Sequence, residues 1–328
     1  NHLLRDGINA AIYDAMKKDE SIYLFGEGAA VKQWYDARKI WDEFPHRITT
    51  LPISEDGNVN LAVGASLVGV KPIVDIISGD FLYRAMDSIC NTAAKLDFVS
   101  GEQHTIVIRA EFLLGGPTTG QRIESLFTHV PGLNVVMPST PHDAYGLMLT
   151  ALRTPGVTLF LEDRMIRDDD AWDADDLKTD WFIPFGAVDW RRKGQRGNVT
   201  ILTYGVMRQV VERALRPFAS NGDPYSDDNQ MLCDVLDLRS LYPIGPIGWA
   251  FIKKMLERTG RLLIVEPDSV YAGIGAEIAA TIAEQLPHVR IKRLGAKRMT
   301  VPASPALHGR MLPTEEDVLN AIRAFNKD

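Results

Sequence analysis

In the segment Leu51-Pro52-Ile53-Ser54-Glu55-Asp56-Gly57, a glutamate sits in a turn just ahead of a small-residue run, Asn60 to Val68, whose composition predicts a helix. A carboxylate there can cap the helix or complement the partial positive charge of its N-terminus. The same group can also serve as an acid or base toward a bound molecule. A second carboxylate, Glu27, stands two residues after the expected strand Ile22–Phe25. Other chemistries lack their residues. The seven histidines form no HExxH and no close cluster with Cys, Asp or Glu, which argues against a protein-only zinc site. There is no Gly-x-Ser-x-Gly elbow and no GxxxxGK[ST] phosphate loop. Gly273-Ile274-Gly275 precedes a helix, but position 278 is Ile, so the dinucleotide fingerprint is broken and the pair reads as a tight helix start.

The elements that must hold these carboxylates alternate between short β-branched runs and helical patterns. Expected strands are Ile22–Phe25, Pro72–Ile77, Thr105–Arg109, Asn134–Met137 and Thr158–Leu161. Helices are expected between them, with Ile8, Ala11, Ile12, Ala15 and Met16 at helical spacing, at Asp87 to Lys95, and at Ala144 to Leu152 after Ser139-Thr140-Pro141; His142-Asp143 opens that last helix. The pattern breaks over Arg164 to Trp181, where Asp168-Asp169-Asp170 and Asp173 to Asp176 read as a solvated acidic linker rather than a metal site. A second alternating set follows, with strands at Val199–Tyr204, Leu232–Leu238, Leu262–Val265 and His288–Arg293. Its helices are expected at Met207–Phe218, Trp249–Arg258, Gly275–Gln285 and Glu315–Phe325. Alternation of this kind implies crossover units and mostly parallel sheets, hence an α/β fold in two domains.

Composition agrees. The 328 residues suit about two domains. With 45% hydrophobic and 24% charged residues, a packed core is expected and disorder is excluded as the main state. A formal net charge of −7 disfavours nucleic acid as a partner. No apolar run approaches the roughly 18 residues of a membrane span, and Asn1 to Glu20 carries no signal-peptide core. Two cysteines, Cys90 and Cys233, are too few for a disulfide framework, so a reducing, cytoplasmic setting is expected.

Taken in order, these segments resemble the beta subunit of the thiamine-diphosphate-dependent 2-oxo acid dehydrogenases, the decarboxylating components of the pyruvate, branched-chain and acetoin complexes. Leu24 to Glu27 looks like the family's early Gly-Glu turn, and Leu51 to Gly57 like its Thr-Pro-Ile-Ser-Glu-x-Gly segment. Ala62 to Ala65, Asp80-Phe81, Ala85-Met86-Asp87 and Asn91 to Lys95 continue the match. So do His129 to Leu133, Pro138 to Ala144, Ile183 to Gly186, Asp237 to Pro243 and Gly273 to Glu277.

The resemblance implies a transketolase-like pyrimidine-binding domain over residues 1–175 and a transketolase C-terminal-like domain over 182–328. It implies that Glu55 hydrogen-bonds the cofactor's pyrimidine ring nitrogen and so makes the opposite amino group a working acid–base group. Phe81 matches an aromatic position against that ring, and Glu27 a glutamate near the substrate end. The diphosphate and its Mg2+ are expected on a separate alpha subunit in an alpha2beta2 heterotetramer. The acyl unit from a 2-oxo acid would then pass to a lipoyl-protein or other carrier protein.

One loop departs from the pattern. Where the family carries a Gln-His-Ser-Gln type sequence, this chain reads Gly115-Gly116-Pro117-Thr118-Thr119-Gly120-Gln121-Arg122-Ile123-Glu124. The histidine position falls on Thr119 counting back from Pro131, or on Arg122 counting forward from Arg109. Threonine does not titrate near neutral pH and arginine stays protonated. A histidine from the partner subunit, a decayed site or a different donor would each account for the change. In the last case the chain would act as a transketolase-like ketol transferase onto a carrier protein, with Arg122 reaching a substrate phosphate. A non-catalytic scaffold subunit is the remaining alternative. Lys71, Arg84 and Arg122 are the basic residues available to a substrate.

Overall fold

The computed structural model describes residues 2–27, 38–113, 115–168, 181–192, 198–218, 233–308 and 311–325. By their packing they divide into two units, residues 1–113 with 118–185, and residues 114–117 with 186–328.

In the first unit, α1 (Leu4–Lys18) leads into β1 (Ile22–Gly26), α2 (Arg38–Glu43), β2 (Ile48–Thr50), α3 (Glu55–Ser66) and β3 (Lys71–Ser78). After a stretch of tight turns come α4 (Leu96–Ser100), β4 (Thr105–Phe112), α5 (Glu124–Thr128), β5 (Leu133–Val136), α6 (Pro141–Ala151) and β6 (Gly156–Asp163). The six strands run parallel in the order β5-β6-β4-β3-β1-β2. A parallel sheet covered on both faces needs apolar residues on both, and Ile73, Val74, Ile76, Ile106, Val107, Ile108, Leu159 and Phe160 are all buried. Thr140 caps α6 by accepting the Asp143 backbone N–H at 2.9 Å, as the Ser-Thr-Pro start implies.

Two expectations change here. The linker does not begin at Arg164: Arg167 and Asp168 pair antiparallel with Leu3 and His2, and Ile166 is buried, so this strand end is tied into the first unit. The acidic positions 169–170 and 173–176 lie outside the described residues. The segment expected to be helical from Asp87 to Lys95 is helical but not regular α: a π-helical turn, Ser88–Thr92, runs into a 3-10 turn, Ala93–Lys95, and on into α4. There the Ser88 hydroxyl donates to Asp56 and accepts from the Asn60 side chain at 2.7 Å, contacts that reach across to α3.

The second unit holds β7 (Asp189–Arg192), β8 (Val199–Thr203), α7 (Val206–Leu215), β9 (Cys233–Asp237), α8 (Gly245–Thr259), β10 (Arg261–Ser269), α9 (Ile274–Gln285), β11 (Arg290–Ala296) and α10 (Glu315–Ala324). Its sheet order is β11-β10-β8-β9-β7, parallel except for the antiparallel edge strand β7. The Gly273–Gly275 pair packs rather than binds. The Gly275 N–H donates to the buried Glu266 Oε2 at 2.8 Å, and a Cβ on Gly275 would stand 2.5 Å from Glu266 Oε1. Among the described residues, no helix is long and apolar enough to cross a membrane.

Candidate functional site

Ligands of open α/β sheets gather at the carboxyl ends of the strands, and the first unit concentrates its carboxylates there. β1 ends on Gly26, whose φ of +141° is a conformation side chains resist; a Cβ there would lie 2.5 Å from the Asp75 carbonyl oxygen. That turn delivers Glu27, whose Oε1 accepts the Ser54 N–H at 3.1 Å and the Asn58 side-chain amide at 3.4 Å. Glu27 therefore grips Ser54, the residue at the N-cap of α3. Burial pushes its carboxyl pKa up, the Ser54 N–H works against that, and the nearby Glu55 charge adds a further upward push.

Glu55 is the first residue of α3, where the helix N-terminus favours a negative charge. Only 4% of its surface is exposed, although Ser54 and Asp56 on either side of it are exposed. Its Oε2 lies 3.3 Å from Arg84 Nε, and Oε1 has no hydrogen bond or ion pair among the described residues. A buried carboxylate with one oxygen unengaged is suited to meet a donor from a bound molecule. The Arg84 side chain is 74% exposed and follows the 3-10 turn Gly79–Tyr83, which carries the half-buried Phe81.

The departing loop is fastened to that same turn. Asp80 accepts the Gly120 N–H at 2.6 Å and the Gln121 N–H at 3.0 Å. Thr119, one residue earlier, is half-buried. Arg122 faces inward: it contacts Glu124 at 3.2 Å and Asp163 at 3.1 Å, and its guanidinium stacks 4.4 Å over the Phe112 ring. With a side chain only 10% exposed and its cation paired twice, Arg122 is not presented to a substrate phosphate. Lys71 is likewise engaged, 2.8 Å from Asp19. Of the three basic residues weighed from sequence, Arg84 alone is mostly exposed.

The two histidines nearest the loop in sequence are placed elsewhere. His104 opens β4, with Nδ1 3.0 Å from Asp97, and the strand's eight residues put it roughly 25 Å from the end that leads into the loop. His129 is exposed after α5. Among the described residues, no group of three or more His, Cys, Asp or Glu could hold a metal ion.

Residues 3–167 match the family model of the transketolase pyrimidine binding domain, and residues 188–318 that of the transketolase C-terminal domain. The pyruvate dehydrogenase E1 component subunit beta of Rickettsia bellii (strain RML369-C) is 30% identical over 335 residues, covering 98% of this chain and 97% of the relative. The chain belongs to the E1 beta-subunit family of the 2-oxo acid dehydrogenases. Another relative of this E1 beta chain is the beta subunit of acetoin:2,6-dichlorophenolindophenol oxidoreductase from Bacillus subtilis (strain 168), 32% identical over 340 residues, with 97% and 95% coverage. The 2-oxoisovalerate dehydrogenase subunit beta of the same organism is 29% identical over 336 residues, with 97% and 96% coverage. A solved structure described as a split gene transketolase, inactive beta4 tetramer, shares the fold, with a TM-score of 0.79, 20% identity and coverage of 98% and 97%.

Within this E1 beta fold, Glu27, Glu55 and Arg84 form one charged cluster, and Phe81 and Thr119 are joined to it through the turn and Asp80. Sequence reasoning missed Asp80 and Asn58 as members. Asp80 stood in a matched segment directly before Phe81, but its partners lie 40 residues onward, beyond any local pattern.

Proposed function

We propose that this chain is the catalytic beta half of a thiamine-diphosphate-dependent 2-oxo acid dehydrogenase first component. The observation that carries the reading is Glu55, a carboxylate almost wholly buried at a helix start with one oxygen unengaged among the described residues. In this reading Glu55 holds the pyrimidine ring nitrogen, Phe81 packs against the ring, and Glu27 stands by as a second proton-holding group. When bound, thiamine diphosphate supplies the carbon nucleophile that lets a 2-oxo acid lose carbon dioxide. Glu55 contributes by keeping a proton shared at the ring nitrogen, and Arg84 opposes the accumulation of uncompensated charge on it. Thr119, which cannot titrate near neutral pH, contributes a hydroxyl at most, while Arg122 sets the loop.

The diphosphate and Mg2+ are assigned to an alpha partner, and the acyl acceptor to a lipoyl or other carrier protein. Exposed apolar side chains on the first unit support a partner chain. Ile53, Val68 and Phe98 are 83%, 80% and 92% exposed, and Leu61 and Val99 are also exposed. Apolar side chains so open mark an interaction surface. Loss of the loop histidine gives the second reading, a ketol transferase acting on a ketose. Native mass spectrometry of the tagged chain, purified with magnesium and thiamine diphosphate, tests the assembly. A heterotetramer holding thiamine diphosphate is expected; a cofactor-free homo-oligomer would overturn the catalytic reading in favour of a scaffold.

A further inference from the structure

Asp80 is 7% exposed, and both its carboxylate oxygens are engaged by the backbone of another segment, Gly120 N–H at 2.6 Å and Gln121 N–H at 3.0 Å. Two consecutive N–H groups converging on one carboxylate is a charge-assisted clamp. Its two sides are rigid for separate reasons. On one side, Gly79 lies so close to Phe112 that a Cβ would stand 2.4 Å from the ring, which presses the turn onto the end of β4. On the other, Arg122 follows Gln121 directly, stacks on the same Phe112 ring and bridges Glu124 and Asp163. The clamp thus joins the residue before Phe81 to the residue after Thr119.

We propose that Asp80 is a positioning residue that sets where Thr119 stands relative to Phe81, and so governs the transfer half of the reaction and not cofactor capture. This rests on the thiamine-diphosphate reading for its kinetic consequence, but the clamp itself does not. Thr119 has no group that titrates near neutral pH, so what it can offer is a hydroxyl held in one place, and the clamp sets that place.

The test pairs Asp80→Ala with Asp80→Asn in the full chain. Amide hydrogen exchange at Gly120 and Gln121 is expected to quicken by about tenfold or more in Asp80→Ala, and less in Asp80→Asn, which keeps one acceptor oxygen. In the assembled enzyme, thiamine diphosphate affinity is expected to stay within about twofold while kcat for acyl or ketol transfer falls by about tenfold, with partial rescue in Asp80→Asn. Unchanged exchange at both amides in both variants would overturn the clamp. Loss of cofactor affinity in step with kcat would overturn the positioning role. Failure of the unaltered assembly to bind thiamine diphosphate would instead sink the functional reading, and the exchange data would still decide the clamp.

Discussion

At the scale of single residues, ionisation separates groups that look alike in sequence. Glu111 is one of a cluster lining a cavity of about 200 Å3 with Leu4, Arg5, Glu162, Asp163, Arg164 and Ile166. Burial pushes its carboxyl up to about 7, and the Glu162 charge adds to that against the pull of Arg164, Arg109 and Arg5. A carboxyl whose pKa is higher folded than unfolded adds no penalty at low pH, where it is protonated in both states. It destabilises the fold progressively as pH rises through the folded pKa. Glu111→Gln is therefore expected to be more stable than the unaltered chain above about pH 7, by up to about 3 kcal/mol, with the gain fading toward about pH 4. Denaturation followed at several pH values checks this, and a gain independent of pH would contradict it. The place of Glu55 at a helix start was legible in the sequence as a local signal, and that of Glu27 in its turn through the family wording. The inward turn of Arg122 was not legible. Nothing near Arg122 announces Asp163, 41 residues away, or the Phe112 ring.

Among elements, the buried strands were read most directly. β3, β4, β8 and β9 carry short apolar, largely β-branched stretches such as Ile73-Val74, Ile106 to Ile108, Ile201-Leu202 and Val235-Leu236 because a parallel sheet buries both their faces, and that pattern is visible without partners. β2 and β7 escaped: three or four residues at a sheet edge, mostly half-buried or exposed, carry too little apolar alternation. The segment after Asp87 is helical as its composition implies, but its π and 3-10 turns, and the tie of Ser88 to Asp56 and Asn60 within it, carry no local signal. The joint between β1 and Glu27 tests how far local backbone sets the site. Gly26→Ala meets both an unfavourable φ and the Asp75 carbonyl, so a loss of about 2–4 kcal/mol is expected by chemical denaturation. A variant within about 0.5 kcal/mol of the unaltered chain would show that the joint can relax without strain.

For the whole molecule, the membership of the E1 beta family and the two-unit α/β architecture were both legible, since they rest on eleven ordered segments and not on one motif. The partner and the substrate are properties of an assembly and leave only indirect marks on one chain. The exposed apolar residues around α3 and α4 are such a mark. Phe98→Glu is expected to leave the chain's own melting temperature nearly unchanged, because the ring contacts solvent, yet to weaken association with the alpha partner by about tenfold or more. Sedimentation of the mixed subunits checks it, and unchanged association would place the partner elsewhere.

Glu55 is the group proposed to make thiamine diphosphate reactive. The direct measurement is turnover of the assembled enzyme with 2-oxo acid donors, comparing the unaltered chain with Glu55→Gln, which keeps size and removes the charge. A fall of about 10²–10⁴-fold with the assembly and fold intact is predicted. Full turnover by Glu55→Gln would contradict it and leave the carboxylate a first-turn helix glutamate and nothing more.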